Sequence, residues 1–505
     1  MSASFRRRQF LRSASALGLG AGLGTEGLVR AITPARAADM RVSPDAVLFR
    51  PEVEPIVRWI EETPRDRILE VAVRQLKGGL AYRDLLAGLF LAGVRNVKPR
   101  PVGFKFHAVL VINSAHLLGQ AAAEDDRLLP LFWALDTFKN SQAADEKEGD
   151  WTLLKVDAGR LPAAGAARAA FDGAMGAWDS EAADVATAAL CRAAGAGQTM
   201  EAFWRFAVRD QRNIGHKPIF AMQCWRTLQA IGWQHAEPVM RSLAYGLLDL
   251  QGDRKAAPIG PYDANLARAR EVRPDWQAGK ADPGATRALL DAMRHASADE
   301  ASAEAAALLA RGVAPDSIWD AVVLASGELM VRKPGIGPIH AVTSANALHF
   351  IYNASGDETT RKLALLQAVG WQPLYRAGAR ATDGFALDSA EGEAPAAAGD
   401  EAVAEVFDAL GKDRRRGVNL ALGHLARGGS PDLLFDQARR MIFRKGTDSH
   451  DYKFGAASWE EFHLAGDPRW RAPLAAAALA NSPGTSTPDS PLMRRAREAV
   501  AEVKG

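Results

Sequence analysis

Ten histidines are the side chains of this 505-residue sequence best suited to chemistry, and most lie in apolar, helix-like surroundings. Two segments echo each other: His107-Ala-Val-Leu-Val-Ile-Asn113-Ser-Ala-His116 and His340-Ala-Val-Thr-Ser-Ala-Asn346-Ala-Leu-His349. At about 100° per residue, the nine steps between the histidines of a pair amount to about 900°, so the two point to opposite helix faces. Each helix therefore offers one histidine to a shared site. His107 and His340 follow Pro/Gly-containing breaks, where a first-turn side chain can line a cavity with little crowding; His116 and His349 read as satisfied buried histidines. A third histidine, His216, opens a helix in Gly215-His216-Lys217-Pro218. The fourth, His450, lies in Thr447-Asp448-Ser449-His450-Asp451-Tyr452-Lys453-Phe454, where Thr447, Asp448 or Ser449 suits an N-cap. Lys453, three residues on, shares a helical face with His450, and Lys453 and Tyr452 are the candidate catalytic side chains. His424 is a further candidate ligand. Neutral imidazoles suit iron, copper, zinc or nickel, and burying several together is costly unless something satisfies their nitrogens. Core packing and chance similarity between alanine-rich helices are the plain alternatives.

The elements that must carry these residues are helices. Asp66 to Gln75, Tyr82 to Val97, Glu201 to Gln211 and Arg287 to Ala296 repeat apolar residues at three- and four-residue spacing. Alternating β-branched and aromatic stretches are missing, and the expected class is all-α, a multi-helical catalytic unit with loosely repeated segments. Breakers such as Lys98-Pro99-Arg100-Pro101, Pro334-Gly335-Ile336-Gly337-Pro338 and Arg427-Gly428-Gly429-Ser430-Pro431 fall between helices. Ser389 to Asp400 reads as a mobile loop. Leu228 to Gln234 and Leu366 to Gln372 form a second echo, Leu-Gln-Ala-x-Gly-Trp-Gln, at a different offset from the first.

Residues 1–37 read as a twin-arginine signal peptide. Arg7-Arg8-Gln9-Phe10-Leu11-Arg12 is followed by a short Ala/Gly/Leu stretch and a small-x-small cleavage site at Ala35-Arg36-Ala37. The expected destination is the periplasm or another compartment outside the cytoplasm, reached through the twin-arginine translocase and with no membrane anchor. Six basic residues and one acidic residue fall in that segment, so the remainder is slightly acidic and nothing suggests a nucleic-acid partner. Cys191 and Cys224 are the two cysteines, with no C-x-x-C between them; export permits a disulfide, while Cys224 in an apolar run reads as a buried free thiol. H-E-x-x-H, Gly-x-Ser-x-Gly, Walker and dinucleotide fingerprints are absent from the sequence. The organisation expected is signal peptide 1–37, helical catalytic domain 38–481, and linker with short terminal helix 482–505.

Ile339 to Leu348, the Gly215-His216 helix and Asp448-x-His450-x-x-Lys453 resemble segments of the questin oxidase-like proteins, in that family's order. The resemblance implies a helical fold and a non-haem metal oxygenase, using Fe(II) and dioxygen to act on an aromatic or quinonoid small molecule. It implies metal ligation by His216, His340 and His450, with His107 as the fourth ligand. One relative carries a carboxylated lysine between the third and fourth histidines; Lys412 and Lys445 occupy that interval here, Lys453 follows it, and His424 is a possible replacement. Phe220 stands where the family's helix has a second histidine. Phe104, Phe106, Tyr452 and Phe454 flank two ligand segments and suggest an apolar wall. A metal-free Baeyer–Villiger-type oxidase or hydrolase, and a non-enzymatic helical binding or scaffold protein, remain as alternatives. For the leader, N-terminal sequencing of exported protein is expected to begin at or near Ala38; Arg7→Lys together with Arg8→Lys should retain the protein in the cytoplasm, and undisturbed export would refute the twin-arginine reading.

Overall fold

Helix after helix is what the apolar spacing dictates. The computed structural model describes residues 45–380 and 384–504, and among these it is all-α, its extended pairing confined to isolated bridges such as Lys280 with Val313. The signal-peptide expectation falls on residues outside those described. The anticipated helices form as Ile68–Lys77, Tyr82–Asn96, Ala196–Ala207 and Pro283–His295. The third ends before Gln211 because Asn213, Ile214 and Gly215 turn the chain through left-handed backbone, with φ of 56°, 49° and 78°. No described helix is long and apolar enough to cross a membrane.

Ile336–Ala354 is the central element. Its residues from Pro338 to Tyr352 are buried on every side, the pattern of a helix enclosed by others rather than one with a wet face. The helix His216–Ile231 packs on one flank and Ser449–Leu464 on another, while Pro315–Arg332 and Glu358–Ala379 complete its surroundings. The His107 segment, helical over His107–Leu110 and again over Ile112–Gln120, lies between the His216 and His450 helices. The four thus form a closed ring, each helix touching the next. All four histidines sit at or near the N-terminal ends of their helices, so those ends meet in one place.

The outer segments are tied down. Pro491–Lys504 docks on the helices Ile68–Lys77 and Leu129–Glu148; Arg495 pairs with Glu70 at 2.8 Å, and Met493 is buried against the Tyr452 hydroxyl. The segment expected to be a mobile loop contacts the helix Arg414–Ala426: the Glu393 amide donates to the Asn419 carbonyl at 3.0 Å, and Gly392 lies against Gly423. Its lack of helical pattern reflects this close backbone approach. The second echo has no common structure: Gly232 ends a helix at φ 115°, whereas Gly370 lies inside Glu358–Ala379. Cys224 is buried and Cys191 partly exposed, both as free thiols.

Candidate metal centre

His107, His216, His340 and His450, drawn from four helices, offer ligand nitrogens that all lie within 4.8 Å of one another. The His107, His216 and His340 side chains are buried and that of His450 is 11% exposed. His216 Nε2 stands 2.9 Å from His340 Nε2 and 3.2 Å from His107 Nε2. The opposite nitrogens point to acceptors. His216 Nδ1 lies 2.5 Å from the Asn213 carbonyl, His340 Nδ1 lies 2.7 Å from the Ile336 carbonyl, and His450 Nδ1 bonds the Asp448 carboxylate. A carbonyl or carboxylate accepts a proton and offers none, so these three rings carry their hydrogen on Nδ1. Their Nε2 lone pairs then face one another across the centre.

That arrangement suits a cation. Burial, reinforced by the neighbouring Lys453 and imidazoles, holds His107, His216 and His340 well below the ordinary histidine value of 6.5, so a shared proton is disfavoured. His450 Nε2 is buried with no partner. Two nitrogens bound to one metal at about 2.1 Å are about 3.0 Å apart at a right angle and about 3.4 Å apart at a tetrahedral angle. The observed 2.9 and 3.2 Å are separations of that kind. The carboxylate and carbonyls behind the rings match the outer partners that orient metal-binding histidines. The four histidines can hold a metal ion.

The local sequence explains how each ring is aimed. Gly215, at φ 78°, precedes His216; a Cβ there would stand 2.4 Å from the Tyr375 hydroxyl and 2.7 Å from Ser344 Cβ. Ile214, a β-branched residue in left-handed backbone, is a genuine outlier. Tyr375 donates to the Ile214 carbonyl at 2.9 Å, and Asn213 Nδ2 donates to Asp249 at 2.8 Å, which keeps the Asn213 carbonyl under the His216 ring. Gly103, at φ 122°, lets bare backbone reach the centre, since a Cβ there would be 3.0 Å from His216 Cε1 and 3.4 Å from His107 Nε2. Asp448 caps the His450 helix and holds the His450 ring as well. Burial alone would raise its carboxyl, but the His450 ring and amide bring it down to about 2. Glycine and asparagine beside a histidine were visible in the sequence; Tyr375, 159 positions beyond His216, carried no signal there.

Lys453 Nζ lies 2.8 Å from His107 Nδ1, and Ser449 Oγ lies 3.2 Å from the same nitrogen. Burial pulls the Lys453 amine down to about 7. Of the three lysines weighed from sequence, it is the one at the histidines: Lys412 is an exposed partner of Asp408, and Lys445 pairs with Asp489. This is the placement expected from the helical face that Lys453 shares with His450. Tyr452, one residue away, turns into the core instead. It stacks on Trp133 at 4.4 Å, and its hydroxyl reaches Met493 Sδ at 3.9 Å. His424 does not join the ligand group either; it sits in the last turn of its own helix, its ring packed against Gly429. Phe106 packs on Phe220, Phe454 is buried, and of the four aromatics considered for a wall Phe104 alone is exposed, at 74%. His116 bonds the Tyr82 hydroxyl at 3.1 Å, while His349 bonds Glu461 at 2.8 Å and stacks on Trp319. Comparison with family models, with curated proteins and with solved structures returned no match.

Two outcomes follow from this geometry. Tyr375→Phe should weaken metal affinity by roughly 10- to 100-fold while costing the metal-free protein about 1 kcal/mol, one hydrogen bond's worth; an unchanged dissociation constant would show that the turn does not position His216. Metal competes with protons for the imidazoles, and lowered pKa values leave His107, His216 and His340 neutral at and above 6.5. Retention should therefore be flat through neutral pH and fail well to the acid side of 6.5. The metal-free fold should also lose stability as pH falls below 6.5, because the unfolded chain then binds protons that the folded chain refuses. Loss of metal already at neutral pH would contradict the assignment.

Proposed function

We propose that this protein is a non-haem, iron-dependent oxygenase of aromatic or quinonoid small molecules, working outside the cytoplasm. The observation that carries the metal half of the reading is the set of inward Nε2 atoms at 2.9 and 3.2 Å, backed by acceptors on Nδ1. The oxygenase half rests on the questin oxidase-like resemblance of three ligand-bearing segments, and the exported location rests on the leader. Four neutral nitrogen donors suit iron among other transition metals and leave room for small ligands on a six-coordinate ion. Iron bound there supplies the one-electron chemistry that lets dioxygen react with a closed-shell organic molecule.

The chain's own residues account for the rest. Asp448 and the Asn213 and Ile336 carbonyls hold three rings in the ligating tautomer. Lys453, its amine drawn to about 7 and in contact with His107, can hold or accept a proton at Nζ beside the centre. Phe104, exposed at φ 47° next to Gly103 and three residues before His107, offers a face on which a planar ring can stack.

Elemental analysis of protein purified without an affinity tag, followed by anaerobic iron reconstitution, tests the reading. About one iron per chain is expected, with dioxygen consumption on adding electron-rich or quinonoid rings. His340→Ala should lose metal and oxygen uptake together while helical circular dichroism survives. His349→Ala, on the opposite helix face, should keep its metal. Oxygen uptake by metal-free protein would favour the metal-free oxidase, and no metal in any preparation would remove the oxygenase.

A further inference from the structure

The four histidine helices also line a small cavity of about 10 Å³. Its wall repeats the ligand faces further along each helix. Ser114 and Gln223 come seven residues after His107 and His216, Thr343 three after His340, and Lys453 and Ala457 three and seven after His450. Steps of three and seven stay on one helical face, so the cavity lies behind the histidines on the inside of the ring. Lys453 is the partition: it lines the cavity, and its amine reaches His107.

The wall is polar and incompletely satisfied. Gln223 is 3% exposed; its amide donates to Ser114 Oγ at 3.1 Å, and its Oε1 is buried with no partner. Lys453, also buried, has three donors and contacts His107 with one. At the far side Asn346 donates to Glu460 at 2.9 Å and to Glu461 at 2.8 Å, and Glu460 pairs with Arg226. An unpaired buried acceptor costs about 1–3 kcal/mol, and a cavity of about 10 Å³ has room for about one water. What fits both chemistry and size is a single water that can donate to Gln223 and accept from Lys453.

We infer that this chamber is a water site, and that its water joins the Lys453 amine to Gln223 and the Arg226–Glu460–Asn346 cluster, giving the metal centre a hydrogen-bonded path from inside the ring. The water site stands independently of the metal; its effect on turnover rests on the oxygenase reading.

A crystal structure of the purified full chain, with and without xenon pressure, tests the site. Ordered water bonded to Gln223 Oε1 and no xenon are expected, because dry apolar cavities take xenon and polar ones hold water. Xenon in the chamber, or no water there while other buried waters are seen, overturns the inference. Gln223→Leu keeps the approximate shape and removes the acceptor, so it should expel the water without changing metal content. In iron-loaded protein it should slow oxygen uptake by at least about tenfold. Water gone with uptake unchanged overturns the path. Ala457→Val, which fills the chamber from another helix, should slow uptake in the same way, and unchanged uptake with the chamber filled likewise overturns the path. Metal content, measured on every variant, separates failure of this inference from failure of the metal reading.

Discussion

Three imidazole lone pairs directed inward in a dry interior, with His107 as the fourth ring, are the constraint on which the rest of this structure depends. Left to themselves they repel, and water that would satisfy them is excluded by His216 and His340, both nearly sealed from solvent. Protonation would relieve the contact, but a charged imidazole in this interior is disfavoured by burial and by Lys453. Four helix N-termini add partial positive charge of the same sense, each worth typically 0.3–1 kcal/mol against a nearby cation. A metal ion held there would offset these terms by bonding the inward lone pairs at once. Asp448 supplies the local negative charge, through the His450 ring rather than as a member of the ligand group.

The surrounding structure keeps the rings from escaping that arrangement. Three of the four are fixed through Nδ1, two of them by backbone carbonyls that side-chain substitution cannot remove. The carbonyl under His216 depends on a run of left-handed residues including Ile214, a conformation that costs of order 1–3 kcal/mol and persists where its surroundings over-determine it. Tyr375, Asp249 and the absence of a Cβ at Gly215 do so. His340 needs no such device, since its partner carbonyl is four residues earlier on the same buried helix. Rigid elements therefore carry the central ring, and a strained turn carries its neighbour.

His107 is the odd member. Its Nδ1 meets Lys453 and Ser449 rather than an obligate acceptor. Through Lys453 this ring adjoins the polar chamber, whereas the other three are backed by acceptors.

The sequence by itself determined the class of fold, because three- and four-residue apolar spacing has no other efficient burial than helix against helix. It also determined that only one histidine of each echoed pair could face a common site, since helical geometry puts His107 and His116, or His340 and His349, on opposite faces. Lys453 on the His450 face follows from the same rotation, which also puts Tyr452 off that face. The tertiary structure decided what depends on distant segments meeting: that His424 stays with Gly429 on another helix, that Phe106, Tyr452 and Phe454 are core rather than wall, and that Tyr375 braces the turn before His216. Those outcomes are set by which helix faces pack together, and helical periodicity specifies a face without naming its partner.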